Sequence, residues 1–73
     1  MRRAHDIADS ELRDFCEWFV QRFRVKKIRR EWFATSMEGR FHVPARDLKD
    51  LVKRLEGLGL IRVQKDFVEL HKV

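Results

Sequence analysis

The chain of 73 residues has room for one domain with a small core. Its hydrophobic fraction of 44% is ordinary for a folded domain and argues against disorder. The net charge of +5 indicates either a soluble basic surface or an electrostatic footprint for phosphate groups, and charge alone does not decide between them. We predict one domain over residues 1 to 73, with residues 1 to 8 as a flexible arm.

Cysteine usage and hydropathy bear on the compartment. Cys16 is the only cysteine, so an internal disulfide is excluded and a reducing compartment is favoured. No run approaches the roughly 18 apolar residues of a membrane span. The basic start, Met1 to Asp6, is followed by no apolar stretch of the signal-peptide kind. We therefore expect a cytoplasmic protein with no membrane partner.

The first predicted helix runs from about Ser10 to Phe23. Asp9 or Ser10 can cap its start. Apolar residues recur at helical spacing and form one stripe, which consists of Leu12, Phe15, Cys16, Phe19 and Phe23. Within that stripe Cys16 is interpreted as a small buried hydrophobe rather than a reactive thiol. Trp18 lies off the stripe, so it either covers another element of the chain, which we favour, or marks a partner contact.

A basic segment follows, and six of the residues from 22 to 30 are Lys or Arg with no acid among them. Phe23 and Val25 alternate with charge, which predicts a short strand. A short second helix is predicted from Glu31 to Met37, with Gly39 as its stop. Its expected apolar contacts are Ile28, Trp32 and Phe33.

The third helix, Pro44 to Leu58, has the clearest pattern. One face carries all the large apolar residues, namely Leu48, Leu51, Val52, Leu55 and Leu58. Arg46 and Lys53 point away from that face and are flanked by Lys49 and Asp50. Gly59 is predicted to end the helix in a left-handed conformation, so that Leu60 packs back on Leu55.

A two-stranded ribbon is predicted to end the domain, with Lys65 and Asp66 at its tip. This register places Gln64 opposite Phe67 and Arg62 opposite Glu69, and it pairs the apolar residues Val63 with Val68 and Ile61 with Leu70. The tip lacks the Asn-Gly or Asp-Gly of a tight turn, so a slightly longer loop also fits. Three helices with a small antiparallel ribbon make an α+β fold.

The order of elements and the passage Leu55-Glu56-Gly57-Leu58-Gly59-Leu60-Ile61 resemble the winged helix-turn-helix family over roughly residues 10 to 71. The resemblance implies three helices, a C-terminal two-stranded wing and a short strand between the first two helices. In DNA-binding members the third helix enters the major groove and the wing reaches the backbone. By position, this implies contacts from Arg46, Lys49, Asp50 and Lys53 on the helix and from Lys65 on the wing.

The charge distribution favours phosphate contact over base reading. The predicted third helix has no amide side chain and a net charge of only +1, from four basic and three acidic residues. The segment from 22 to 30 carries +6. The main phosphate contacts are therefore expected from Arg24, Lys26, Lys27, Arg29 and Arg30.

Catalysis and cofactors are not expected. The potential metal ligands His5, Cys16, His42 and His71 share no short ligand spacing. No glycine-rich phosphate loop is present, and Ser10, Thr35 and Ser36 have no evident base partner.

Two functions fit these features of the sequence. The first is a DNA-binding winged helix, such as a small transcriptional regulator or a viral or plasmid accessory protein. The second is a protein-docking winged helix within a replication or transcription assembly, with Trp18 buried against a partner. An RNA-binding winged helix is a third, less favoured interpretation. Either a monomer or a homodimer fits the length of the chain.

Overall fold

The computed structural model describes residues 2 to 71, which form three helices and one antiparallel sheet. The α+β class and the predicted order of elements are confirmed. After a 3-10 turn (Ala4–Asp6), the elements are α1 (Asp9–Phe23), β1 (Lys27–Arg29), α2 (Arg30–Phe41), α3 (Ala45–Gly57), β2 (Ile61–Val63) and β3 (Phe67–Leu70). Within these residues, none of the helices has the length and apolar character needed to cross a bilayer.

The sheet has the strand order β1-β3-β2, with β3 in the centre. The register of the C-terminal hairpin is confirmed, since its strand pairs are Ile61 with Leu70, Arg62 with Glu69 and Val63 with Val68. The backbone N–H of Gln64 donates to the carbonyl of Phe67 at 2.7 Å. This bond closes the turn over Lys65 and Asp66, so the shorter of the two expected turns is present.

The first strand lies later in the chain than predicted. The alternation of Phe23 and Val25 suggested a strand there, but α1 continues to Phe23 and Arg24 caps it in the left-handed conformation, with φ of 54°. The strand begins at Lys27, and its half-buried Ile28 pairs with Val68. A strand therefore joins the hairpin edge as expected, two residues beyond the apolar alternation.

The second helix is longer than predicted. Gly39 lies inside it, and the helix ends where His42 adopts a left-handed conformation, with φ of 55°. The extra turn buries Phe41 in the core, which outweighs the weak helix preference of one glycine. The expected contact from Trp32 is wrong: this side chain is 66% exposed, whereas its neighbour Phe33 is buried.

The third helix has the predicted phase. Leu48, Leu51 and Leu55 are buried, whereas Arg46 and Lys53 are exposed. Its end is also confirmed. Gly59 has a φ of 75°, and the N–H of Leu60 donates to the carbonyl of Leu55 at 3.0 Å, the long bond of a Schellman motif.

The core joins α1 to α2 through aromatic rings. Phe15 lies at its centre, with ring centroids 5.9 Å from Phe19, 5.6 Å from Phe33 and 5.4 Å from Phe41. Cys16 is fully buried beside them, and burial raises the pKa of its thiol to about 12. The interpretation of Cys16 as a buried hydrophobe is confirmed, because a protonated and enclosed thiol is a poor nucleophile.

The predicted flexible arm is instead folded onto α3 in residues 2 to 8, whereas Met1 lies outside the described residues. Ala4 and Ile7 are buried. The buried carboxylate of Asp47 accepts hydrogen bonds at 2.8 Å from Arg3 Nε and from the backbone N–H of Ala4. The Arg54 guanidinium donates to the carbonyls of Ala4 and Ile7 at 2.9 and 2.7 Å. Asp47 and Arg54 of α3 thus fasten the N-terminal segment.

We expect Asp47→Asn to lower the thermal midpoint at neutral pH and to reduce the loss of stability in acid. The Arg3 hydrogen bond, followed by that of Ala4, holds the pKa of Asp47 below its ordinary value. Such a carboxyl stabilises the fold above its unfolded pKa of about 3.9, and the contribution is lost as pH falls through the lower folded pKa. Asp50→Asn, at an exposed site on the same helix, is the control for thermal unfolding across pH. Equal midpoints for the two variants at every pH would contradict this role.

Candidate nucleic-acid interface

A groove of about 680 Å³ lies between α3, the start of α2 and the C-terminal hairpin. Its floor is formed by apolar side chains, which are Phe33, Ala34, Leu48, Val52, Val63 and Val68. Its rim carries five cationic side chains, namely Arg29, Arg30, Lys49, Lys53 and Lys65. We call this feature the basic groove.

The cations of the basic groove come from three segments that are distant in sequence. Lys49 and Lys53 are four residues apart and therefore follow one flank of α3. Arg29 and Arg30 lie where β1 passes into α2, and Lys65 lies at the hairpin tip. All five side chains are exposed, so folding gathers free positive charge around one concave surface.

Acidic side chains moderate this charge. Glu31, Glu56 and Asp66 also line the basic groove, so five cations and three acids leave a formal net charge of +2. No ion pair between these acids and the five cations is found among residues 2 to 71. The groove can therefore attract an anion, and exposed charges of this kind make the attraction sensitive to salt.

Arg30 lies on the rim of the basic groove and also forms hydrogen bonds to the hairpin tip. Its backbone N–H donates to the carbonyl of Asp66 at 3.1 Å, and its Nη1 donates to the carbonyl of Lys65 at 3.3 Å. These bonds tie the start of α2 to the hairpin tip. They position Lys65 beside the groove and leave Arg30 less free than the other cations.

The basic segment from 22 to 30 is divided by the fold. Arg29 and Arg30 reach the basic groove, but the predicted contacts Arg24, Lys26 and Lys27 do not line it. Arg46 on α3 is also exposed outside it. The cations of this segment therefore do not form a single phosphate-binding surface.

Phe67 belongs to the groove lining and was not singled out from the sequence. It is 37% exposed, and the Lys27 ammonium lies 5.0 Å from its ring centroid. Strand alternation is the signal that could have found it. With Val68 facing the core, Phe67 must face the other side of β3, where an aromatic residue has no core to fill.

A second exposed feature lies on α1, away from the basic groove. Trp18 is 41% exposed and packs on Phe15, with ring centroids 6.1 Å apart. Phe23, predicted to be the last residue of the buried stripe, is 45% exposed because it lies at the very end of α1, and its ring meets Trp18 edge-on at 5.9 Å. Trp18 was expected to cover another element of the chain; outside α1 it lies against α2, where the Arg40 guanidinium is 5.6 Å from its ring. Much of the indole remains accessible.

The histidines have local contacts. His42 is the left-handed residue that ends α2, and His71 Nδ1 lies 3.0 Å from the carbonyl oxygen of Gly59. His5 lies beside Asp6, at 3.4 Å. Across residues 2 to 71, the His, Cys, Asp and Glu side chains nowhere form a group of three able to hold a metal ion.

No family model, curated protein or solved structure matches the chain. The winged-helix resemblance therefore stays a prediction, which rests on the order of elements and on the passage from Leu55 to Ile61. Function is inferred from the basic groove and from the exposed aromatic side chains.

Proposed function

We propose that this protein is a small winged-helix domain that binds duplex DNA, mainly through phosphate contacts at the basic groove. The observation that carries the proposal is the convergence of cations from three distant segments, represented by Arg29, Lys49 and Lys65, around one concave surface. A transcriptional regulator or a viral or plasmid accessory protein would use such a domain.

The arrangement suits a duplex docked on α3. An α-helix fits the major groove of B-form DNA, and α3 offers Arg46, Lys49 and Lys53 as exposed cations. Lys65 at the hairpin tip and Arg29 before α2 lie on the other two sides of the basic groove, where they can approach the DNA backbone. Because α3 has no Asn or Gln and its basic residues are offset by three acidic ones, we expect recognition to depend mainly on phosphates rather than on base edges.

A salt titration with a duplex of arbitrary sequence tests this proposal. Each phosphate contact releases condensed counterions, so the logarithm of the binding constant falls by about 0.9 per contact for each tenfold rise in salt. With three to five rim cations engaged, we expect a slope between about −2.7 and −4.5 and little change when the sequence is scrambled. Absence of binding at low salt would refute the proposal.

A docking module is the second candidate, and the exposed aromatic side chains of α1 favour it. Trp18 and Phe23 contact each other, remain more than two-fifths exposed and lie outside the basic groove. Aromatic residues are enriched where proteins bury surface against a partner. The partner would be a second copy of this chain or another member of an assembly, and such docking is compatible with DNA binding at the groove.

For the homodimer form of this candidate, we expect Trp18→Ala to weaken self-association measured by sedimentation across a concentration series. An aromatic anchor at an interface contributes about 2 kcal/mol or more of binding. The variant should keep its helical circular dichroism, although it loses packing on Phe15. Lys49→Gln serves as a control, because it alters only the groove. A parent chain that stays monomeric at all concentrations would contradict the homodimer.

A further inference from the structure

An exposed aromatic side chain lies among cations at the hairpin edge of the basic groove. Lys and Arg side chains alone can hold a DNA backbone. Phe67 alternates with buried Val68, so its ring lies on the outer face of the sheet, opposite the groove floor and on the same face as Lys27 and Arg29. A ligand that contacts this face therefore needs a flat apolar part as well as negative charge.

We propose that the outer face of the sheet, at the hairpin edge of the basic groove, binds an unpaired nucleotide next to the duplex, with its base stacked on Phe67 and its phosphates held by Lys27, Arg29 and Lys65. The proposal rests on the DNA binding proposed above and specifies its substrate: duplex DNA with a single-stranded end or gap. A base in an intact duplex already stacks on its neighbours and offers only its edges. An unpaired base offers a free flat face, which aromatic side chains bind with little dependence on sequence.

The surroundings of Phe67 match the two chemical parts of a nucleotide. Arg29 lies directly across the sheet from Phe67, as its partner in the β1–β3 register. Lys27 Nζ lies 5.0 Å from the centre of the ring, and Lys65 is two residues earlier in the chain, at the hairpin tip. A base on the ring would thus have cations nearby to receive its phosphates. Lys27 is exposed, so its flexible side chain can move its ammonium from the Phe67 ring to a phosphate.

The test compares three fluorescently labelled probes: a blunt duplex, the same duplex with a short thymidine overhang, and the free single strand. We expect the parent chain to bind the overhang duplex about fivefold or more tightly than the blunt duplex, as the stacking of one base provides. Phe67→Leu should abolish this difference, so that the blunt and overhang duplexes bind equally. Phe67→Trp, which keeps a flat ring, should preserve the difference.

Phe23→Leu is the matched control, because Phe23 is also exposed and also has a guanidinium nearby, that of Arg22 at 5.8 Å. Its overhang preference should equal that of the parent. Equal binding of blunt and overhang duplexes by the parent would overturn the inference and leave the duplex proposal intact. Failure to bind any of the three probes would overturn both. Tight binding of an acidic apolar peptide without DNA binding would assign the groove to a protein ligand instead.

Discussion

Leu51→Ala is expected to lower the free energy of unfolding by about 2–5 kcal/mol. Leu51 is fully buried at the centre of the apolar face of α3. Truncation removes its transfer free energy and leaves a cavity between the helices, which a close-packed core refills only in part. In a domain of this size such a loss is a large fraction of the total stability. Urea unfolding followed by circular dichroism measures the change.

Lys53→Ala, two residues along the same helix, is the control for helix propensity. It is exposed, so its effect on unfolding should stay within about 0.5 kcal/mol. A Leu51→Ala variant as stable as the Lys53→Ala variant would show that the face of α3 assigned to the core is wrong. The placement of Lys49 and Lys53 on the flank of the basic groove would then also be wrong, because it depends on the same helix phase.

The second large effect is expected for the double variant Lys49→Gln/Lys53→Gln, which should bind duplex DNA more weakly and with a flatter salt dependence. Both side chains line the basic groove, and each lost phosphate contact reduces the slope by about 0.9. The total reduction should therefore reach about 1.8 if both contact phosphate. Glutamine keeps most of the side-chain length and the helix propensity, so the fold should be unaffected.

Arg24→Gln/Lys26→Gln is the matched comparison, because it removes the same charge at exposed sites outside the groove. Long-range attraction changes equally in the two double variants, so their difference isolates direct contact. We expect the comparison variant to retain nearly the slope of the parent. Equal reductions of the salt slope in both double variants would indicate instead that the phosphate contacts are spread over the whole basic segment from 22 to 30.

The third helix and the hairpin could be predicted because their determinants are local. Five apolar residues at helical spacing fix the phase of α3, and Gly59 supplies the left-handed residue that ends it. In the hairpin, only one register places the apolar pairs of Val63 and Ile61 on the same side. Neither element needs a distant residue to be specified.

The errors arise where contacts between distant residues decide the structure. Residues 2 to 8 look like a polar arm, yet Arg3 binds Asp47, 44 positions away. The end of α2 is set by the burial of Phe41 rather than by Gly39. In both places, tertiary packing overrides a weak local preference.

The candidate site was predictable only in part for the same reason. The cations of α3 follow from helix phase, and Lys65 follows from the hairpin register. That Arg29 joins them while Arg24 does not depends on where β1 begins, which the sequence pattern placed too early. The exposure of Phe67 could have been predicted from strand alternation, but the cations beside it come from β1, which the sequence pattern placed too early.

The central claim, that the basic groove is the nucleic-acid interface, is tested most directly by backbone NMR shifts on titration with a short blunt duplex. A chain of 73 residues is well suited to this measurement. We predict that the largest changes occur at groove residues such as Arg29, Lys49, Lys53 and Lys65, and that they fade as salt is raised. Changes centred on Trp18 and Phe23, or the absence of any change at low salt, would contradict the account.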